Sequence, residues 1–201
     1  MENKIEVFRT ELNRINDEAV RGSTETLLDM LPDYFYTMSA STSGKYHPSF
    51  ALGNGGLVRH TKMAEYILEE MFKNSVFAPH GEYTKDLMRM AILLHDGFKS
   101  GLTYSGHTDI NHPIIMANFI LDNKNELSIS ESDALFVYDL ISTHMGPWTK
   151  DKHGNKVLDE PKTREQILIH LCDYIASRKG IDAHFIDNEL VDSEGKKLIM
   201  K

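Results

Sequence analysis

Six histidine and aspartate residues lie where a folded helical chain would bury them. Imidazole and carboxylate groups are the usual protein ligands of divalent transition metals. Such groups cost free energy inside a core unless each is hydrogen-bonded, paired with a charge or bound to a cation. A shared metal centre would account for all of them together, whereas separate burials would need a separate explanation for each. The six residues are His60, His95, Asp96, His112, His144 and Asp173.

Hydrophobic periodicity predicts that these residues stand on successive helices. His60 shares an apolar stripe with Ala64 and Ile67, at helical steps of four and three. The same kind of spacing predicts that His95 and His144 face a core. The predicted helices cover about the first twenty residues, residues 26–31, the stretch from Leu57, residues 84–96, the stretch from Pro113, residues 133–144 and residues 163–179.

Local signals mark the ends of several predicted helices. Pro113 suits the first turn of a helix and places His112 at its cap. Thr163 and Gln166 have the spacing of a capping box. Gly97 is expected to end the helix before it in the left-handed conformation, which glycine adopts at little cost. Together these signals predict an all-α fold.

The chain is predicted to form one domain over residues 1–201, because this length suits a single hydrophobic core. The metal-site core would cover residues 57–180. The C-terminal tail, residues 183–201, is expected to form a small β-hairpin around residues 192–195. Residues 39–56 are predicted to form a loop, and the polar residues 149–161 a surface loop or lid.

Composition limits the classes of partner. A formal net charge of −8 disfavours a surface that coats nucleic acid, although bound cations would still let a small anionic substrate approach. The single Cys172 excludes an internal disulfide. No stretch approaches the ~20 apolar residues of a membrane span, and residues 1–10 lack an apolar signal core. We therefore expect a cytoplasmic protein without a membrane partner.

Three motifs in order resemble the HD superfamily of metal-dependent phosphohydrolases. Gly55 to Thr61 resembles the GGL-x-x-H-[ST] entry of that family, and Leu93 to Lys99 resembles its LLHD-x-x-K segment. Residues 172–178 resemble its closing aspartate helix. The full H…HD…H…H…D pattern spans residues 60 to 173, over half of the chain. The resemblance implies an HD-type helical bundle.

The resemblance also implies a set of metal ligands. A first ion would be held by His60, His95, Asp96 and Asp173, and Asp96 would bridge to a second ion held by His112 and His144. Mixed nitrogen and oxygen ligands suit Mn, Fe, Co, Ni or Zn better than Mg. Some two-metal members carry two consecutive histidines where this chain has His144 followed by Met145. The second site is therefore the weaker expectation, and one or two ions remain open.

Catalytic and substrate-binding roles follow from the same resemblance. Asp96 and Lys99 would be catalytic, and Lys99 would also contact a phosphate oxygen as a point charge. A helix-end lysine that complements the helix dipole is an equally good interpretation. The other substrate candidates also have ordinary interpretations. The two histidines and the arginine could be solvated surface side chains, and the tryptophan could be packed in the core. These candidates are His47, His107, Arg178 and Trp148.

Three functions remain open from the sequence. The first is hydrolysis of a phosphoester in a nucleotide or related small molecule, through water activated by metal. The second is an HD-type 3′–5′ exoribonuclease or phosphodiesterase acting on short single-stranded nucleic acid. The third is a non-catalytic HD scaffold that binds a nucleotide. The acidic composition favours the first, and a homo-oligomer is compatible with each.

Overall fold

Helices make up most of the computed structural model, which describes residues 4–74, 76 and 81–198. The predicted all-α fold with a small C-terminal hairpin is confirmed. Short 3₁₀ helices cover Lys4–Phe8, Ser49–Ala51 and Lys124–Glu126. The described residues contain helices α1 (Arg9–Leu12), α2 (Glu18–Met30), α3 (Asp33–Thr37), α4 (Gly56–Phe72), α5 (Glu82–Leu94), α6 (His112–Asp122), α7 (Glu131–Ser142) and α8 (Arg164–Ala176), and strands β1 (His184–Ile186) and β2 (Glu189–Val191).

The core is built where α4, α5, α7 and α8 pack against one another. α4 packs on α5 and α8, and α7 packs on α5 and on α6. Their inward faces carry fully buried aliphatic side chains such as Leu93, Ile141 and Ile169. Burial of each such side chain contributes about 1.5–3 kcal/mol to stability. This packing keeps the helices together and so fixes the position of the polar cluster at their ends. No helix among the described residues has the length and apolar character needed to traverse a bilayer.

Side-chain caps fix where several helices begin. Asp17 accepts hydrogen bonds from the backbone N–H groups of Ala19 and Val20 at the start of α2. The capping box predicted at Thr163 and Gln166 is confirmed at the start of α8. Each cap satisfies N–H groups that have no partner within the helix. The capping box therefore sets the residue at which α8 begins, and so also the side of the helix on which Asp173 lies.

Three predicted helices end two or three residues earlier than the sequence indicated, and one of them is α8, which ends at Ala176. α5 ends at Leu94 and α7 ends at Ser142, so His95 and His144 lie just past helix ends rather than on helix faces. The left-handed conformation predicted at Gly97 is wrong, and Gly101 adopts it instead, at φ +83°. A Cβ at Gly97 would lie 2.7 Å from Met116 Sδ and 2.8 Å from Leu31 Cδ2, and because both side chains are buried, the added methyl group would crowd this packing. Tight packing, not backbone freedom, explains this glycine.

The N-terminal segment and the tail also differ in detail from the prediction. A 3₁₀ helix and the four-residue α1 replace one helix over the first residues. In the tail, the β1–β2 turn lies at Asp187 and Asn188, both with positive φ, as a two-residue hairpin turn requires. The predicted turn at residues 192–195 exists as a second reversal, where Asp192 N–H donates to Lys196 O. Glu189 of β2 pairs with Lys62 of α4 at 2.9 Å, which fastens the hairpin to the bundle.

Candidate metal centre

Four of the predicted ligands converge between α4, the end of α5, and α8. Their ligand atoms all lie within 4.8 Å of one another. His60 Nε2 lies 2.9 Å from Asp173 Oδ1 and 3.6 Å from Asp96 Oδ2. His95 Nε2 lies 3.4 Å from Asp96 Oδ2 and 3.6 Å from Asp173 Oδ1. Metal–ligand distances of about 2.1 Å place neighbouring ligand atoms about 3 Å apart, so this group has the spacing of one coordination shell.

A second group shares Asp96 with the first. His112 Nε2 lies 3.0 Å from Asp96 Oδ1, and His144 Nε2 lies 3.7 Å from the same oxygen. The two imidazole Nε2 atoms are 3.1 Å apart. His112 is the first residue of α6, one position after the cap that the sequence predicted for it, and His144 follows α7. The carboxylate of Asp96 therefore presents one oxygen to each group.

Backbone hydrogen bonds fix the tautomers of three imidazoles. The Nδ1–H groups of His95, His112 and His144 donate to the carbonyl oxygens of Ile92, Asp109 and Ile141, at 2.7, 2.6 and 2.8 Å. In the neutral imidazole each Nε2 is then a bare lone pair. The lone pairs of His112 and His144 face each other and Asp96 Oδ1, an arrangement that repels unless a cation lies among them.

Buried polar atoms without a hydrogen-bond partner also indicate that a cation lies among these side chains. His95 Nε2 and Asp96 Oδ1 have no hydrogen-bond partner among the described residues, although both are fully buried. A buried polar atom without a partner costs about 1–3 kcal/mol. Both atoms point into the cluster of potential ligands, where a divalent cation would satisfy them together. The donor set of imidazole nitrogens and carboxylate oxygens therefore fits a transition-metal ion.

The electrostatics of the cluster favour ionised aspartates and a neutral imidazole at His60 and at His112. Burial raises the pKa of Asp96, but Lys99 and His95 outweigh it and hold that pKa well below the ordinary value. Burial also raises the pKa of Asp173, but the hydrogen bond from His60 and the nearby charge of His95 hold it well below the ordinary value. Burial lowers the pKa values of His60 and His112. His95 differs, because Asp96 and Asp173 overcome burial and raise its pKa to about 10, so without metal it holds a proton whose place a cation can take.

A cavity of about 510 Å³ opens directly onto this cluster. His112 and Asp173 contribute to its floor, and its walls combine aromatic, small polar and basic side chains. The volume is in the range typical of small-molecule sites. The remaining lining residues are Ala40, Ser41, Tyr46, His47, Lys99, Thr108, Met145, Trp148, Tyr174, Ser177 and Arg178.

One wall of the cavity is a ring shelf formed by Trp148 and Tyr174. Their rings are stacked, with centroids 5.6 Å apart and planes 17° apart. Trp148 is 49% exposed, so core packing does not account for it. The guanidinium of Arg178 lies 4.2 Å from the Tyr174 ring centroid. No carboxylate of the described residues comes within salt-bridge distance of Arg178, which leaves its charge available to an anion.

Lys99 and His47 lie next to the potential ligands. Lys99 is buried, and its Nζ lies 2.5 Å from Asp96 Oδ2. The His47 ring packs against His60 with centroids 5.4 Å apart. Its Nδ1 is buried without a hydrogen-bond partner, and burial, with His60 and Lys99, lowers its pKa to about 3. His47 is therefore a neutral side chain of the cavity wall rather than a surface cation.

The remaining residues divide between those the structure brings to the cavity and those it does not. His107 is exposed in the loop after Gly101 and does not line the cavity, whereas its neighbour Thr108 does. The sequence interpretation missed His170 and Tyr174 on α8. A signal existed for His170, since it precedes Asp173 by three residues and so lies on the same side of the helix.

Comparison with known proteins agrees with this geometry. The HD domain family model matches residues 57–178, more than half of the chain. The chain belongs to the HD domain family, whose members are generally metal-dependent phosphohydrolases. No curated protein and no solved structure matches the chain.

Proposed function

We propose that this protein hydrolyses a phosphoester of a nucleotide or a related small molecule in a metal-dependent reaction. The observation that carries the proposal is the convergence of buried, unpartnered ligand atoms at the floor of the cavity. His95 Nε2 and Asp96 Oδ1 have no protein partner among the described residues, and both face the point where two groups of ligands share Asp96. The HD family membership makes phosphoester hydrolysis the class of reaction that this floor would serve.

The proposed ligands form two sets that share Asp96. His60, His95, Asp96 and Asp173 would hold one ion, and Asp96, His112 and His144 would hold a second. When bound, divalent cations supply Lewis-acid polarisation of the phosphoryl group and activation of a water molecule. The three protein ligands of the second set leave more positions open than the four of the first, and the half-buried Met145 lies beside them on the cavity wall. We expect the second ion to bind more weakly.

Basic side chains of the cavity would bind the phosphoryl group. Lys99 is held by Asp96 at the edge of the cluster, where its ammonium would contact a phosphate oxygen as a point charge. Arg178 is braced by its own neighbour, because its Nη2 donates to Ser177 Oγ at 2.6 Å. A guanidinium that is held in place and not neutralised by a carboxylate is suited to a phosphate. His47, uncharged, would accept or donate a hydrogen bond to substrate or water.

The ring shelf favours a nucleotide over a phosphoester without an aromatic group. A nucleobase could stack on the exposed Trp148 ring while its phosphate lies near Arg178 and the ligand cluster. Stacking of a base on an aromatic side chain contributes about 1–3 kcal/mol. The cavity volume of about 510 Å³ suits a small molecule. The net charge of −8 provides little general attraction for a long polyanion.

A substrate panel tests the proposal. The protein is loaded separately with Mn²⁺, Co²⁺, Ni²⁺ or Zn²⁺ and incubated with nucleoside mono-, di- and triphosphates, cyclic dinucleotides and short single-stranded RNA. Release of phosphate from mononucleotides, lost on chelation and restored by metal, is the expected result. Stepwise shortening of RNA without mononucleotide turnover would replace the proposal with a nuclease. Stoichiometric metal binding without turnover of any substrate would indicate a binding scaffold.

A further inference from the structure

We propose that His170 is a positioning residue that sets the ring shelf relative to the ligand cluster and thereby favours substrates with a ring. This inference rests on the proposed function, because the shelf is assigned there to a nucleobase. His170 stands on α8, outside both groups of potential metal ligands. It does not line the cavity, so its effect would pass through the residues that do.

The first contact of His170 is with the backbone of a proposed ligand. Its Nδ1–H donates to the carbonyl oxygen of His144 at 2.8 Å. Since a carbonyl can only accept, this hydrogen bond fixes the His170 tautomer and the plane of its ring. The bond joins α8 to the turn after α7, which contains residues 144–148. The turn that begins at a potential metal ligand is thus tied to the helix that carries Asp173.

The second contact fills the place of a missing side chain. Gly146 adopts the left-handed conformation, at φ +62°, and a Cβ there would lie 2.2 Å from His170 Cε1 and 2.4 Å from its Nε2. The His170 ring therefore packs flat against the backbone of the turn, where any larger residue would displace it. Backbone conformation and close approach both require glycine at this position. The turn and the imidazole fit each other as one packed unit.

The third contact is with the shelf. The His170 ring centroid lies 6.0 Å from that of Trp148 and 6.0 Å from that of Tyr174. Because Trp148 is about half exposed, cavity-side packing alone does not fix its orientation. His170 packs beside both rings and is hydrogen-bonded to the backbone of His144, so it links the orientation of Trp148 to the turn that carries this potential ligand. Without it, the Trp148 ring would lose this support, and the proposed base site would be less well fixed relative to the phosphate site.

Substitutions at His170 separate the hydrogen bond from the packing. His170→Ala removes both, His170→Phe keeps a ring but cannot donate, and His170→Asn keeps an N–H near the position of Nδ1. His184→Ala, on the exposed face of β1, is the matched control. Trp148 is the single tryptophan of the chain, so its fluorescence reports on the shelf directly. The ligand for titration is a non-hydrolysable phosphonate analogue of adenosine monophosphate, added to zinc-loaded protein.

We expect His170→Ala and His170→Phe to change the emission and acrylamide quenching of Trp148. His170→Phe should weaken binding of the analogue about fivefold, the equivalent of one hydrogen bond of about 1 kcal/mol, and His170→Ala should weaken it further because the ring is also lost. His170→Asn should restore the affinity to within about twofold of wild type. Bound zinc, and kcat/KM for glycerol phosphate, which lacks a ring, should stay unchanged in all variants. KM for the nucleotide should rise with little change in kcat.

Unchanged Trp148 emission and unchanged analogue affinity in both His170→Ala and His170→Phe would overturn the inference. An equal loss for nucleotide and glycerol phosphate, or loss of zinc, would also overturn it, because it would show a general structural role. A wild-type protein whose Trp148 emission does not respond to the analogue would refute the nucleotide assignment instead. The positioning role would then be decided by the ligand-free emission and quenching of the same variants.

Discussion

Asp96→Asn is the substitution with the most far-reaching expected effect, because one carboxylate faces both groups of potential ligands. Asn keeps the shape of the side chain but removes the charge and leaves one oxygen as an acceptor. Oδ1 lies 3.0 Å from His112 Nε2, and Oδ2 lies 3.4 Å from His95 Nε2. The variant therefore weakens both sets at once, whereas substitution of any one histidine would affect a single set.

The expected magnitude has two parts. A metal present at 100 times its Kd stabilises the wild type by about 2.7 kcal/mol, which for a chain of this size raises Tm by about 5–11 °C. This increment should nearly vanish in Asp96→Asn at the same metal concentration. Without metal, Lys99 loses its counter-charge, and breaking such a buried pair costs up to about 3–5 kcal/mol. Activity should fall by more than the roughly 10–100-fold that loss of an outer-shell partner costs.

The assay compares thermal unfolding with and without Zn²⁺ or Mn²⁺, together with the metal content of the protein. Asp86→Asn is the matched control, since Asp86 is equally buried and pairs with Arg89 at 2.6 Å, away from the cluster. It should lower the starting Tm yet keep the full metal-dependent increment. If Asp96→Asn retained both that increment and the wild-type metal content, the shared-ligand geometry would be refuted.

Three further outcomes are expected. Trp148→Ala should raise KM for a nucleotide about 5- to 150-fold, the equivalent of about 1–3 kcal/mol of stacking. An unchanged KM would show that the base does not stack on the ring shelf. The pKa of His47 is lowered to about 3 by burial and by neighbouring positive charge, so the folded protein keeps this imidazole neutral while the unfolded chain protonates it near 6.5. The contribution of His47 to stability is therefore complete above pH 6.5 and is lost as the pH falls toward 3, by about 1.4 kcal/mol per pH unit. Urea denaturation of metal-free His47→Asn should show a flatter pH dependence in that window, and an identical slope would contradict this account. Gly97→Ala should cost about 1–3 kcal/mol, because its Cβ meets Met116 Sδ at 2.7 Å. Gly22→Ala, with open space in the middle of α2, should instead stabilise the protein by about 0.5–1 kcal/mol. Equal urea midpoints for the two variants would show that the space around each glycine does not determine the effect of the substitution.

Much of the fold followed from local signals in the sequence. The capping box at Thr163 and Gln166 and the helix start at His112 are both present, because caps depend on residues a few positions apart. Helix ends were predicted less well, since apolar periodicity continues past the last hydrogen-bonded turn at His95 and His144. The conformation of Gly97 was mispredicted because its requirement is a contact with Met116, a residue distant in sequence.

By itself the sequence determined the chemical types and the order of the six potential ligands, and so the HD family of the chain. These are properties of residue identity and of spacing along helices. Tertiary structure decided which ligand atoms share Asp96, because that depends on how five chain segments pack. It also placed Trp148 on an exposed shelf, left His107 outside the cavity, and set His170 against Gly146. Such contacts join residues far apart in the chain, and no periodicity encodes them.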